Sequence, residues 1–375
     1  MIGQPLFWLY LLFQFCVFVF LVNRFGIRPH RQVAEFLWVI LFLAVQGGGT
    51  LGLASAWDFS PDSAAALPLF PKAWLALTFA WAAFMAWDMA WWLLARRKPV
   101  AARLTRQDFA NRPSRWRAPY PFLDGTVFQN QLYDLEVDEY EVRLPGWPKA
   151  WDGLSLVQVS DLHVGKFVHR PYLEWVVAKA RALKPDLFAL TGDFISFPKH
   201  LPFIGKLFQN LRAPLGTYAV LGNHDHWSDA PGLIRTLQED GVKVLVNEGR
   251  MLRRRGKTLA ILGVDDKWTG NQDLGPLFQV KADAKILLAH QPDHFKLAQK
   301  LGANLQISGH CHGGQICFPL LGPLVVPSDE GRKYAAGFIR EKDSVMFINR
   351  GIGGYPPLRT LCPPQVVKLV LKSGV

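Results

Sequence analysis

Residues 1–95 are mainly apolar, whereas the rest of the chain alternates between apolar and polar positions. A membrane-spanning helix needs about 20 mainly apolar residues, and segments 6–22, 36–56 and 73–95 are close to this length. The third segment contains Trp91 and Trp92 and is followed by Arg96 and Arg97, a combination typical of a membrane interface. The pattern predicts a transmembrane region of about three helices.

The charges between these segments predict an orientation. Three arginines follow the first segment, mainly acidic residues follow the second, and the strongest basic cluster follows the third. Because basic loops stay in the cytoplasm, we expect the amino terminus outside and the carboxyl-terminal part on the cytoplasmic side. A cleavable signal peptide is the competing interpretation of segment 6–22, although its charges follow the apolar run and no small-residue cleavage site is evident.

After about residue 124 the pattern changes to short apolar runs alternating with amphipathic stretches, which predicts sheets covered by helices. We expect helices near 171–184 and 230–240. Buried strands are predicted at Leu154–Ser160, Leu187–Thr191, Thr217–Leu221, Leu259–Val264, Lys285–Ala289, Leu305–Ser308 and Val345–Asn349. Residues 124–375 therefore form a predicted α/β domain, joined to the transmembrane region by a basic linker at 96–123.

Charge favours a lipid partner. The chain has a formal net charge of +12, and eight basic residues between 96 and 117 are opposed only by Asp108. A basic stretch next to a membrane segment is attracted to anionic head groups, so we expect contact with a lipid bilayer and no specific nucleic acid partner. The four cysteines form no C-x-x-C pair, which is consistent with a reducing compartment.

Polar motifs follow five of the predicted strands. Ligands of α/β sheets bind at the carboxyl ends of strands, and each motif alone would be an ordinary turn. The motifs are Asp161-Leu-His163, Gly192-Asp193, Gly222-Asn223-His224-Asp225, His290 and Gly309-His310-Cys311-His312. Taken together and in this order, they predict a single site.

The side chains of these motifs are the donors of a two-metal site. Mixed carboxylate, amide and imidazole donors suit Mn, Zn or Fe better than Mg or Ca, and two neighbouring ions need a shared carboxylate. Asp193 is the predicted bridge. The first ion would take Asp161, His163 and His312, and the second Asn223, His290 and His310. Such a pair of divalent ions activates water for attack on phosphorus.

These five blocks resemble the calcineurin-like metallophosphoesterase superfamily over residues 124–375. The segments Gly309–Ile316, Asn349–Gly351 and Cys362–Gln365 are similar to the branch of bacterial membrane-associated phosphodiesterases that includes some UDP-2,3-diacylglucosamine hydrolases. The resemblance implies a two-sheet αββα sandwich, the ligand roles given above, and a location in the bacterial inner membrane. It also implies that His224 polarises the phosphate or protonates the leaving oxygen.

Several residues near these motifs have two interpretations. Asp225 either orients His224 or caps the next helix. Asp225 and Arg350 are also candidate substrate contacts, with Arg350 placed to contact the phosphate. Cys311 stands where similar chains more often have Thr; alternation in an extended strand would turn it away from the metals. The aromatic stretch Phe194–Leu215 is either an amphipathic helix or a wall for acyl chains.

Together these observations predict a membrane-anchored phosphoesterase in which a metal-bridged hydroxide cleaves a phosphodiester or pyrophosphate bond, in a lipid or lipid precursor. The alternative enzyme is a nuclease or cyclic-nucleotide phosphodiesterase. A catalytically inactive membrane scaffold is the alternative from a different class. The full set of predicted ligands in the sequence argues against it, because a degenerate module would have lost at least one.

Overall fold

The computed structural model describes residues 67–94, 100–110, 113–319, 322–323 and 325–374, together with residues 10, 11, 14, 48, 49, 52 and 53. Contacts between residues divide the chain into two compact units, Met1–Arg97 and Lys98–Val375.

Helix α1 of the first unit spans Leu69–Leu94 and includes all but the last residue of predicted segment 73–95. Trp74 in this helix donates a hydrogen bond of 2.8 Å to the hydroxyl of Tyr10. Within the described residues, no helix has both the length and the apolar character needed to cross a membrane. Segments 6–22 and 36–56 lie largely outside the described residues. The transmembrane region therefore stays a prediction.

The second unit contains fifteen strands and six α-helices among its described residues. The strands are β1 Ala102–Phe109, β2 Glu136–Leu144, β3 Ser155–Val159, β4 Leu187–Thr191, β5 Thr217–Val220, β6 Lys243–Val244, β7 Glu248–Arg254, β8 Lys257–Gly263, β9 Ala284–Leu288, β10 Leu305–Ser308, β11 Cys317–Phe318, β12 Gly322–Pro323, β13 Gly337–Glu341, β14 Ser344–Ile348 and β15 Gln365–Ser373. The helices are α2 Arg170–Ala182, α3 Leu201–Ile204, α4 Asn223–Ser228, α5 Ala230–Glu239, α6 Leu274–Phe278 and α7 Phe295–Lys300.

Two mixed sheets organise these strands. The first has the order β1-β2-β15-β3-β4-β5-β6 and the second β13-β14-β10-β9-β8-β7, while β11 and β12 form a separate pair. Strands β3 to β6 are parallel to one another, as are β8, β9, β10 and β14. The carboxyl ends of the parallel strands in each sheet therefore lie at one edge of that sheet.

The two sheets pack face to face. Leu156, Val220, Ile286 and Ile307 belong to one buried cluster that contains residues of both sheets. Helix α2 covers the outer face of the first sheet through residues such as Val176. Every residue of β3 and β4 is buried, because both faces of a central strand are covered. The predicted sandwich of two sheets with outer helices is confirmed.

All seven predicted strands form, within one or two residues of the predicted ends. Residues 102–109 of the predicted linker form an edge strand that pairs with Glu136–Leu144. Strand β15, which was also not predicted, lies between β2 and β3 in the first sheet. Its neighbours are distant in sequence, so its place depends on pairing with strands far away along the chain.

Candidate metal centre

The predicted ligand residues come together at the carboxyl ends of five parallel strands. Asp161 follows β3, Asp193 follows β4, Asn223 follows β5, and His290 and His310 follow β9 and β10. All five are at least 96% buried. Each of these five strands is therefore followed by at least one donor at the same edge of the sandwich.

The donors form two groups that share one carboxylate. Asp161, His163, Asp193 and His312 make up the first group, and Asp193, His290 and His310 the second. The donor atoms of each group lie within 4.8 Å of one another. Both His163 and His290 place Nε2 next to Oδ2 of Asp193, at 3.4 and 3.3 Å. This oxygen is thus common to the two groups.

The chemistry of these donors fits cations. Nε2 of His163 faces Nε2 of His312 at 3.0 Å, and Nδ1 of His310 faces Nε2 of His290 at 3.2 Å. The amide oxygen of Asn223 is buried and has no hydrogen-bond partner among the described residues. Buried polar atoms normally have partners, and a divalent ion binds such nitrogens and oxygens at about 2 Å. The group of donors can therefore hold metal.

Hydrogen bonds outside the cluster orient the imidazoles. Nδ1 of His290 lies 2.7 Å from the carbonyl oxygen of Thr191, so this nitrogen carries the proton and Nε2 faces the carboxylates. Nδ1 of His163 lies 2.9 Å from the hydroxyl of Ser196. Partners of this kind fix the tautomer and the direction of a metal-binding histidine.

Burial and charge also favour a cation here. Burial works against a charge on His290, but Asp193 and Asp161 outweigh it and raise its pKa to about 10. Burial raises the pKa of Asp161 to about 6 and lowers the pKa of His163 to about 3. In the absence of metal, a proton on His290 is therefore the charge that offsets Asp193.

Asp225 holds the loops that carry the donors. Its carboxylate accepts hydrogen bonds from the backbone N–H groups of Asp193, Phe194, Ile195 and Gly222, at 2.8 to 3.1 Å. Because Asp225 is fully buried and its oxygens face these amides, the structure gives it a positioning role. The hydrogen bond from Gly222, the residue before α4, agrees with the alternative in which Asp225 caps this helix. Its predicted contacts with substrate and with the ring of His224 stay predictions.

His224 lies on the wall of a cavity of about 340 Å³ beside the donors. Its backbone N–H donates to Oδ1 of Asp193 at 3.0 Å, and its ring packs edge-on against those of His163 and Trp227. Trp268 packs edge-on against His310, with ring centroids 4.3 Å apart. The cavity is thus lined by candidate metal ligands and by aromatic rings.

Arg350 contacts two carboxylates of β2, and its phosphate contact stays a prediction. Its guanidinium forms an ion pair with Glu136 and lies 3.8 Å from Asp138, since β2 presents both carboxylates to it. Arg359 was not predicted. It is fully buried, donates to the carbonyl oxygen of Gly353, and approaches Nδ1 of His312 at 3.3 Å. Its place in a Pro-rich segment gave no signal of such burial.

Cys311 packs in an apolar cluster with Phe295, Tyr334 and Met346. The thiol is buried, which raises its pKa well above the usual range and keeps it protonated. The expectation that Cys311 turns away from the metal ligands is correct, but the reason given for it was wrong. Cys311 has helical backbone angles between two residues with positive φ, so the segment is a turn and not an extended strand.

A two-sheet sandwich with a shared carboxylate between two groups of histidine and aspartate donors defines a metallophosphoesterase. The calcineurin-like phosphoesterase family model matches residues 154–314. The chain is 32% identical to the metallophosphoesterase YkuE of Bacillus subtilis over 64% of this chain and 86% of that protein. The chain therefore belongs to the metallophosphoesterase family, and it is a hydrolase of phosphoester bonds.

Two further relatives have more specific names. Phosphodiesterase YaeI of Escherichia coli is 30% identical over 58% of this chain and 82% of its own length. The UDP-2,3-diacylglucosamine pyrophosphatase LpxG of Chlamydia muridarum is 27% identical over 62% of this chain and 88% of its own length.

Proposed function

We propose that this chain is a dinuclear metal-dependent phosphoesterase that hydrolyses a phosphodiester or pyrophosphate bond. One observation carries the proposal, namely that Asp193 belongs to both groups of donors. A shared carboxylate allows two cations to lie close enough to act on one phosphate. Ordinary buried ion pairs do not need a carboxylate that is shared by two groups of donors.

Asp193 would be shared by the two ions. The amide oxygen of Asn223, which has no hydrogen-bond partner among the described residues, would join His290 and His310 around one ion. Asp161, His163 and His312 would hold the other. Mn, Zn and Fe suit these mixed donors. When bound, the two ions supply positive charge that activates water and neutralises phosphate oxygens.

His224 acts on the phosphate from the cavity wall. Its backbone N–H donates to Asp193 and its ring packs against His163, so the ring lies close to the shared carboxylate. The ring is half-buried and adjoins open space in the cavity. An imidazole at such a place can donate a proton to the leaving oxygen or a hydrogen bond to the phosphate.

The favoured substrate is a lipid or lipid precursor, in which the hydrolysed bond lies near an apolar group. The cavity is bordered by Ile316, Val325 and Pro327 as well as by aromatic rings. LpxG, a relative, is named for a diacylglucosamine nucleotide. The basic stretch at 96–117 suits the surface of an anionic bilayer.

We also propose that the chain is anchored in the bacterial inner membrane, with the catalytic domain on the cytoplasmic side. The support comes from the three apolar segments and the distribution of basic residues around them. An enzyme held beside the bilayer meets a substrate dissolved in it more often than a free enzyme does.

A nucleotide phosphodiester is the second candidate substrate. Trp227 and Trp268 border the cavity, and indole rings stack on nucleobases. YaeI, a relative, is named a phosphodiesterase.

A substrate screen separates these candidates. The full chain, purified in detergent and loaded with Mn, is assayed with UDP-diacylglucosamine, a lipid phosphodiester, a cyclic nucleotide and single-stranded DNA. We expect turnover with one of the two lipid substrates. Activity on nucleotides alone would remove the lipid proposal, and no activity on any phosphate ester would favour an inactive scaffold.

A further inference from the structure

Four aromatic side chains, three exposed and one half-buried, form a continuous row that ends at the cavity. Ring centroids are 6.0 Å apart between Phe203 and His200, 5.9 Å between His200 and Phe197, and 6.3 Å between Phe197 and Tyr355. Tyr355 also lines the cavity of the metal centre. We call these four residues the aromatic ridge.

The ridge is exposed although the same segment has buried residues beneath it. Phe197, Phe203 and Tyr355 are 44%, 43% and 68% exposed, whereas Ile204 and Phe208 are almost fully buried. Single exposed apolar residues are common, but adjoining ones with a polar border mark an interaction surface. The outward rings are therefore not needed for the core.

The charged residues of the chain segment that carries most of the ridge are all basic. Residues 194–212 contain Lys199, Lys206 and Arg212 but no acidic residue. Lys199 extends over the ring of Phe197, with Nζ 5.6 Å from the centroid, and Lys166 lies in the same way over Phe167. Partial burial and Lys199 lower the pKa of His200, which keeps the middle of the ridge neutral.

This composition matches a lipid surface. Aromatic rings reside at the level of the head groups, and flanking lysines are attracted to anionic lipids. A water-soluble polyanion without aromatic groups would contact the lysines but would leave the phenylalanine rings exposed to water. An anionic bilayer would contact both the lysines and the phenylalanine rings.

We propose that the aromatic ridge docks on the surface of an anionic bilayer and holds the mouth of the metal centre at the level of the lipid phosphates. The inference deepens the proposed function and depends on its lipid substrate. Tyr355 belongs to both the ridge and the cavity wall, so docking of the ridge brings the cavity to the membrane surface. A lipid-linked phosphate could then reach the metal centre while its acyl chains remain in the bilayer.

Photolabelling of the full chain in vesicles tests the proposal. The chain is reconstituted in phosphatidylcholine vesicles with or without phosphatidylglycerol, together with a photoactivatable phosphatidylcholine. Label on residues 194–206 is then measured by mass spectrometry. We expect this segment to be labelled in the unmodified chain, and its label to fall about fivefold or more in Phe197→Ser/Phe203→Ser. Leu297→Ser, which changes an equally exposed apolar residue on α7 (49% exposed), should leave the label unchanged.

Loss of label in the double variant would also result from misfolding, so a charge variant provides a second test. Lys199 is exposed, so Lys199→Glu should fold normally. It should lower the label about fivefold in vesicles with phosphatidylglycerol and little in phosphatidylcholine alone. An unlabelled segment in the unmodified chain, or equal label in all variants, would overturn the proposal.

Turnover of the water-soluble diester bis(p-nitrophenyl) phosphate by the unmodified chain is measured separately. Normal turnover without label would refute the ridge alone. Label without turnover of this diester or of lipid substrates would refute the proposed function alone.

Discussion

Five of the seven predicted ligand residues have left-handed backbone angles. They are Asp161, His163, Asp193, His310 and His312, with φ between 46° and 68°. This conformation costs a residue other than glycine about 1–3 kcal/mol when the surrounding structure enforces it. Such strained residues cluster at functional sites. The candidate metal centre is therefore one place where unfavourable backbone angles are accepted and direct side chains towards a common point.

We expect Asp225→Asn to destabilise the metal-free protein by about 3 kcal/mol, because charged acceptors of backbone N–H groups contribute about 1.5–3 kcal/mol each. The asparagine amide would point a donor at the amides that Asp225 now accepts from. The measurement is urea unfolding in a chelator.

Asp229→Asn is the matched control, since Asp229 caps α5 through one oxygen and Asn caps equally well. Equal stability of the two variants would contradict the positioning role of Asp225.

His290 makes the stability of the metal-free protein depend on pH. Its pKa is about 10 in the folded chain and about 6.5 when unfolded. The folded state thus binds the proton more tightly, so the stabilisation is complete below about pH 6.5 and is lost as pH rises towards 10. We expect the melting temperature in a chelator to fall across this window more in the wild type than in His290→Gln. If the melting temperatures of the two proteins changed with pH in parallel, a charge on His290 would be excluded as the cause of the pH dependence.

At the scale of elements, the buried strands could be predicted because apolar runs end in polar motifs. The residues after β3, β4, β5, β9 and β10 meet at one edge because the strands of each set are parallel. The contacts of Arg350 and Asp225 could not be predicted from apolar runs and the motifs that follow them. Their partners, Glu136 and the amide of Asp193, are 214 and 32 positions away and have no sequence pattern in common with them.

Glycines let these strand ends approach one another. A Cβ atom on Gly309 would lie 2.0 Å from Oγ of Ser160 and 2.3 Å from Oδ2 of Asp161. We expect Gly309→Ala to push Asp161 out of place, destabilise the protein by about 2–3 kcal/mol and lower metal affinity.

Gly275→Ala is the control. Its nearest contact would be an ordinary 3.7 Å, and alanine favours a helix. Calorimetry in a chelator and metal titration check both variants, and equal metal affinity would contradict the close packing of β3 against β10.

At the scale of the whole molecule, the change in hydrophobic pattern near residue 95 separates an apolar first quarter from an α/β domain. The two-sheet sandwich was expected from the family resemblance. Strand β1 was assigned to the linker because its exposed, charged sequence hides the pairing with β2. An edge strand buries little apolar surface, so its hydrophobic pattern gives only weak evidence for a strand. The first quarter remains predicted from hydropathy and charge alone.

Membrane topology is tested with reporter fusions. Because basic residues follow segments 6–22 and 73–95, a fluorescent protein fused after Val375 should be bright. Alkaline phosphatase at the same place should be inactive, since it matures only outside the cytoplasm. The reverse result would place the catalytic domain outside.

The central claim is that Asp193 bridges two divalent ions. The most direct test is the metal content per chain of the full-length protein, measured by mass spectrometry after loading with Mn and removal of free metal. We predict two ions in the wild type. Asp193→Asn should bind at most one and lose more than about 100-fold of its turnover, while Asp283→Asn, at a carboxylate paired with Lys257, keeps both. Unchanged metal content and turnover in Asp193→Asn would contradict the account.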